Sequence, residues 1–333
     1  MKIMHGQTGV LSRRQVALAA LAVPALSAPA VLAQTPTRLR IVIFGAPSLG
    51  AILPAIIKAR KIDVANGLDI EFVERTPDAY ATEFNAGEFD LGGSASVLTV
   101  GIAKARGVDP VYLFNLFDFW GGVVTDAPSV HTLTDLAGHS LAAARGTTNF
   151  QMFAWFAKQA GLDLAKVSVI NTATPGLIGY ALANRADAVQ LWEPAYTVLM
   201  NRKPGLRTLD LQLSRWKEFA GTSDIPYLGV AAHQRWLDAH ADLVPQLFTA
   251  YQQAALWMRE NPDEAAKISN AGGNAETEAA VSQLYRANER LGMNLRLAGE
   301  QVSAIRAVYR AGRELAILPA FDEMATIFGG PAR

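Results

Sequence analysis

From Thr37 onward, short β-branched runs alternate with longer apolar stretches of helical period, and the whole alternation occurs twice along the chain. That pattern commits a chain to an α/β architecture of mainly parallel sheets flanked by helices. In the first round Leu39 to Phe44, Leu68 to Val73, Phe89 to Leu91 and Val111 to Phe117 read as strands, and Gly121 to Thr125 continues the last of them into other territory. Helices are expected over Leu49 to Ala59, signalled by Pro47-Ser48, over Pro77 to Ala86 and over Val97 to Ala105. In the second round the strands are Ser140 to Arg145, Val167 to Asn171, Ala188 to Trp192 and Leu206 to Leu211. Helices run from about Phe150 to Ala160, over Leu177 to Ala183 and from Pro194, a first-turn position where a missing N–H costs nothing. Tyr227 to Ala232 reads as a strand returning to the first domain. The remainder reads as almost wholly helical, over Ala241 to Glu260, Pro262 to Asn270, Glu276 to Leu291 and Ala298 to Leu315.

Within that frame two stretches about a hundred residues apart are built alike. Phe84 to Ser96 reads Phe-Asn-Ala-Gly-Glu-Phe-Asp-Leu-Gly-Gly-Ser-Ala-Ser: Gly87 closes a helix, Asp90 opens an apolar run, and Gly92-Gly93 predict a sharp turn before an exposed cluster of hydroxyls. Leu182 to Pro194 repeats the plan, with Asn184 ending the helix, Asp187 before the strand, and Trp192-Glu193 standing where Ser94 and Ser96 stood. In an open α/β sheet such turns fall at the carboxyl ends of strands, where ligands sit.

Residues 1–33 carry Lys2, Arg13 and Arg14, no acid, and an apolar run from Val16 to Leu32 broken by Ser27 and the prolines. This is the series of a secretory signal, with cleavage expected after Ala33. Ser12-Arg13-Arg14-Gln15 resembles a twin-arginine signal, although Val16-Ala17 replace the usual Phe-Leu, so ordinary secretion and a membrane anchor stay open as alternatives; the run is short of the ~20 residues a span needs. Removing the segment takes 3 of the 30 basic residues and none of the 30 acidic ones, leaving a net charge of −3 with no basic stripe, which argues against nucleic acid as a partner. The 333 residues include no cysteine, which excludes disulfides, thiolate metal sites, a Cys nucleophile and a lipidated N-terminal Cys. Some 300 residues, half of them apolar, suffice for two cores. The expected organisation is a signal over 1–33, a first lobe from 34–122 and 226–333, and a second lobe over 123–225, with crossings at Phe117 to Val123 and near Ile225 to Gly229 forming a hinge.

Four segments carry a family resemblance: Asn85 to Ser94, Asp135 to Ala142, Gly146-Thr147-Thr148 and Asp187 to Pro194. In order and spacing, over roughly residues 38 to 270, they resemble the substrate-binding proteins of taurine, aliphatic-sulfonate and nitrate importers. The resemblance implies a type II-like two-lobed clamshell that captures a solute between its lobes and delivers it to an ATP-driven permease. It places ligand contacts at Pro47 and Ser48, at Ser94, Ala95 and Ser96, at Thr147, Thr148 and Asn149, and at Trp192 and Glu193. His139, where the family commonly has Lys or Arg, is a departure affecting a surface strand.

The same residues have a chemistry of their own. Ser94 to Ser96 and Thr147 to Asn149 precede helices, whose free N–H groups and dipoles favour anionic oxygens. Arg145 is the only arginine in these turns, so neutral donors would hold a sulfonate, carboxylate or nitrate, with Glu193 receiving an ammonium or amide at the solute's other end. Each hydroxyl is equally compatible with an ordinary helix cap. Phe117-Asp118-Phe119-Trp120 either walls the cleft, Trp120 stacking on a solute and Asp118 offered to a cation or donor, or packs as aromatics around a hinge. Trp192 is expected to face the cleft because a buried indole N–H needs a partner.

Catalysis finds little support. His131, His139, His233 and His240 have no metal-site spacing, and the last two read as surface residues around a helix. No Gly-x-Ser-x-Gly, phosphate loop or dinucleotide turn appears. Pyrimidine-synthesising enzymes of thiamin biosynthesis share the implied fold, yet the Cys-rich motif and His set they use are missing. The expectation is therefore a monomeric periplasmic receptor with no cofactor and no metal, serving an ABC permease and ATPase. Alternatives are an exported ligand-sensing module signalling to a membrane partner, the same receptor with a pyrimidine-like or aromatic ligand, or a secreted hydrolase on this fold.

Overall fold

The computed structural model describes residues 36–329 apart from Gly272; the expected signal segment lies outside the described residues. The chain begins with β1 (Thr37–Phe44), α1 (Leu49–Ala59), α2 (Ile62–Ala65), β2 (Leu68–Arg75), α3 (Pro77–Asn85), β3 (Leu91–Ser96), α4 (Val97–Ala105) and β4 (Pro110–Asp118). It continues through β5 (Gly122–Thr125), β6 (Ser140–Ala143), α5 (Thr148–Gln159), β7 (Ser168–Asn171), α6 (Gly176–Leu182), β8 (Ala188–Leu191), α7 (Ala195–Arg202), β9 (Arg207–Leu209) and α8 (Arg215–Ala220). Then come β10 (Pro226–His233), α9 (Gln234–His240), α10 (Val244–Glu260), α11 (Pro262–Ser269), α12 (Ala275–Arg286), α13 (Asn288–Leu291), β11 (Met293–Leu297) and α14 (Val302–Glu314).

Two sheets result, with strand orders β11-β4-β10-β3-β1-β2 and β7-β6-β8-β5-β9. Both are mixed. β1 pairs in parallel with β2 and β3, while β10 runs antiparallel to β3 and β4, so the first four strands share one direction. In the second sheet β6 is parallel to β7 and β8, and β5 enters antiparallel. The tail expected to be almost wholly helical contains β11, which pairs antiparallel with the edge strand β4. Its five residues, Met-Asn-Leu-Arg-Leu, alternate apolar and polar, a period too short to stand out beside the helices around it.

The turn expected at Gly92-Gly93 is a correction. Both glycines lie inside β3, and all six residues of that strand are buried. They serve close packing: a Cβ at Gly92 would stand 2.3 Å from the Tyr80 hydroxyl, and one at Gly93 would stand 2.8 Å from Ile43 Cγ2. Helix α3 and strand β1 can approach this strand only because it carries no side chains there.

The second sheet follows a period of two. Val123, Leu141, Ala143 and Ala188 face one apolar cluster, whereas their neighbours Val124, Ala142 and Val189 face another on the opposite side. A third, larger cluster fills the first sheet's faces and also takes in Met152, Trp155 and Phe156 of α5 together with Trp216 of α8. The Trp155 indole donates to Glu314 on α14 at 2.9 Å, anchoring that helix pair. Between the sheets the chain passes once through Phe119 to Gly121 and returns through the segment holding α8. The two passages are joined where the Phe119 N–H donates to the Ile225 carbonyl at 2.7 Å.

Candidate functional site at the facing strand edges

Pairing directions decide which residues share an edge. Parallel β1 and β3 put Phe44 to Ser48 and Ser96 at one end of the first sheet, and antiparallel β10 brings Tyr227 to it, since Leu228 pairs with both Ser96 and Phe117. In the second sheet, parallel β6 and β8 bring the start of α5 beside Trp192 and Glu193, and β5 brings Trp120 to Gly122. The two edges touch. Burial pushes the Tyr227 phenol up from its ordinary value, while the Thr148 and Asn149 side chains facing its hydroxyl pull it down. Asn149 is fully buried; its amide donates to the Trp120 carbonyl at 3.1 Å and accepts from Gln190 at 2.8 Å.

Most of the expected hydroxyl donors act on their own backbone. Ser94 is 1% exposed and accepts the Phe44 N–H at 2.9 Å, a brace between β3 and the end of β1. Ala95 lies buried in the same strand. Ser96 caps α4, accepting the Thr99 N–H at 3.2 Å and sharing a 2.8 Å bond with the Thr99 hydroxyl. Thr147 caps α5 through the Phe150 N–H at 3.2 Å and donates to the Ala144 carbonyl. Pro47 is exposed, and half-buried Ser48 donates to the Phe44 carbonyl at 3.3 Å. Trp192 is half-buried and packs with Trp120 on a second-sheet cluster.

Glu193 has a partner that sequence reasoning missed. Its side chain is 1% exposed; one oxygen accepts the Thr197 N–H at 3.0 Å, and the other accepts the Thr197 hydroxyl at 2.8 Å and Arg290 Nε at 2.9 Å. The Arg290 guanidinium also lies 5.4 Å from the centre of the Tyr196 ring, itself in edge contact with Trp120. Arg290 sits among Glu289 and other polar residues on the expected helix, and nothing local marks it. The available signal was the need of a carboxylate at the end of an apolar strand for a counter-charge. Tyr227 and Gln190 were missed because they read only as strand residues.

Asp118 and Trp120 line a groove of about 590 Å³ beside the crossings, together with Asp224, Glu289, Lys217 and Asn294. Asp118 accepts from the side-chain amides of Asn115 at 3.0 Å and Asn294 at 2.8 Å. Desolvation pushes its carboxyl up to about 6, against the pull of Asn294. Asp224 is paired with Arg296 at 3.3 Å, which leaves Asp118 and Glu289 against Lys217 and suits this groove to a cation or a neutral donor more than to an anion. Another correction concerns His233, expected at the surface: it is 7% exposed at the end of β10, with Nε2 2.7 Å from the Phe84 carbonyl. Among the described residues no three His, Cys, Asp or Glu side chains are grouped so as to hold a metal ion, and no helix is long and apolar enough to cross a membrane.

The fold has solved counterparts. The periplasmic aliphatic sulphonate binding protein SsuA from Escherichia coli superposes with a TM-score of 0.69 at 18% identity, over 88% of this chain and 97% of that one. The alkanesulfonate-binding protein SsuA from Xanthomonas axonopodis pv. citri, bound to MOPS, gives 0.68 at 18% identity over 86% and 95%. A protein from Bordetella bronchiseptica RB50 gives 0.66 at 19% identity over 89% and 93%. These likenesses establish the two-lobed periplasmic-binding-protein fold. A search of curated proteins finds no match. The NMT1/THI5-like family profile matches residues 64–265, more than half of the sequence and spanning both sheets, and the chain belongs to that family.

Proposed function

We propose that this protein is the periplasmic solute-binding component of an ABC importer, capturing a small organic or inorganic anion of sulfonate, taurine or nitrate type between two lobes. The observation that carries the reading is the meeting of the two strand edges, where Tyr227 faces Thr148 and Asn149 and Glu193 meets Arg290. The two solved relatives described as sulfonate-binding proteins support the choice of solute class. In this reading residues 34–122 and 226–333 form one lobe and 123–225 the other, and an N-terminal twin-arginine-like signal directs export. The start of α5 presents the peptide N–H groups of Thr148 and Asn149, which have no partner within the helix and favour an anion. Ser48, Trp120 and Trp192 complete the contacts, while Asp118 lies on the groove side of the crossing. Closure requires differential contact with both lobes.

The test is a thermal-shift screen of residues 34–333 against alkanesulfonates, taurine, nitrate, small carboxylates and pyrimidine-like compounds, followed by calorimetry. A ligand that binds the folded form raises the melting temperature, and one molecule per chain is expected. Chemical turnover of the hit would overturn the receptor reading. Stabilisation confined to cations would overturn the anion reading.

A further inference from the structure

Resting on the anion-capture reading, we propose that Arg290 is the receptor for the solute's charged head and that Glu193 is a positioning residue holding that arginine rather than a partner for a solute ammonium. The carboxylate has little left to offer. Three donors already meet it, two from Thr197 and one from Arg290, and its side chain is 1% exposed. A carboxylate so buried is tolerable because it is paired and hydrogen-bonded.

The arginine is held the other way about. Only its Nε edge is engaged, so the two terminal nitrogens form no hydrogen bond or ion pair among the described residues, and 41% of the side chain is exposed. The ring of Tyr196 lies 5.4 Å from the guanidinium carbon and, with the Nε bond, restricts the plane of the group. A guanidinium fixed along one edge presents a planar fork on the other, the geometry that takes two oxygens of a sulfonate or carboxylate at once. This supplies a second cation in addition to Arg145, the only arginine of the strand-edge turns. It comes from α13, between α12 and β11 in the tail, and reaches the end of β8 in the second sheet. An anion bridging this fork and the α5 start would therefore touch both parts of the molecule. Ordering an already pinned arginine costs less than immobilising a free one.

The experiment titrates full-length mature protein calorimetrically with ethanesulfonate and with its uncharged analogue ethanesulfonamide. Wild type is expected to prefer the sulfonate by about tenfold or more, by analogy with the loss of one buried anchor. Arg290→Gln is expected to abolish the preference, Arg290→Lys to retain part of it, and Glu193→Gln to weaken sulfonate binding while leaving some preference. Melting curves of each variant identify those that fold, and Arg290→Lys keeps the test decisive if Arg290→Gln does not. An undiminished preference in folded Arg290→Gln would overturn the assignment while leaving anion capture standing. Wild type that binds sulfonamide as well as sulfonate would instead overturn the anion reading itself.

Discussion

The edge of the first sheet turns its hydroxyls onto its own backbone, whereas the edge of the second sheet holds a carboxylate whose counter-charge lies 97 residues away. The two stretches look like repeats in sequence, but Ser94 is inside a six-residue strand and Trp192-Glu193 follow a four-residue one. A hydroxyl needs one neighbour, and the nearest peptide provides it. A carboxylate withdrawn from water needs charge or several donors, which brings distant chain to it. The same contrast separates Asp118 from Glu193: amides of Asn115 and Asn294 hold the first, whereas Thr197 and an arginine hold the second.

Substitutions sharpen that comparison. Gly92→Val, which gives the first edge the residue found at the equivalent Val189, is expected to destabilise by about 3 kcal/mol, because the new Cβ meets the Tyr80 hydroxyl at 2.3 Å. Chemical denaturation measures it, and a wild-type midpoint would contradict the packing role of the glycine pair.

Asp118 sets a pH signature. Its carboxyl is raised to about 6 by burial, so between the unfolded value near 4 and that point the folded state holds the proton and the unfolded state does not. Stability contributed by this group is greatest below pH 4 and falls as pH rises to about 6, by about 3 kcal/mol at most. Subtracting the pH profile of Asp118→Asn from that of wild type isolates the slope. A flat difference would show that the amides compensate desolvation completely.

Arg290→Gln leaves the Glu193 carboxylate without its cation. Removing one partner of a fully buried pair costs more, but the arginine is partly exposed, so about 2 kcal/mol is expected, read from the urea midpoint. Ser94→Ala should cost about 1 kcal/mol by releasing the Phe44 N–H, with solute affinity unchanged. A large loss of affinity in Ser94→Ala would place that hydroxyl in the site and collapse the contrast between the edges.

Strand and helix periodicity made the framework legible: α1 and α4 begin and end where their apolar spacing and flanking residues indicate. Gly92 and Gly93 misled because glycine permits both a turn and a close approach, and only the neighbours Tyr80 and Ile43 decide between them. Local chemistry left Ser96 and Thr147 open between ligand contact and helix cap, and in the structure each caps its helix by a bond three residues ahead. It was silent about Arg290 and Tyr227, whose partners lie at the edge of the second sheet, at the start of α5 and just past β8, because a contact across the fold leaves no spacing to read.

The most direct test of capture between the edges is the crystallographic position of 2-bromoethanesulfonate, read from the anomalous signal of its bromine. One strong site per chain is expected between the first-sheet edge and Trp192, with sulfonate oxygens on the Arg290 fork. A sole site elsewhere, such as the acidic groove at Asp118, would contradict capture there.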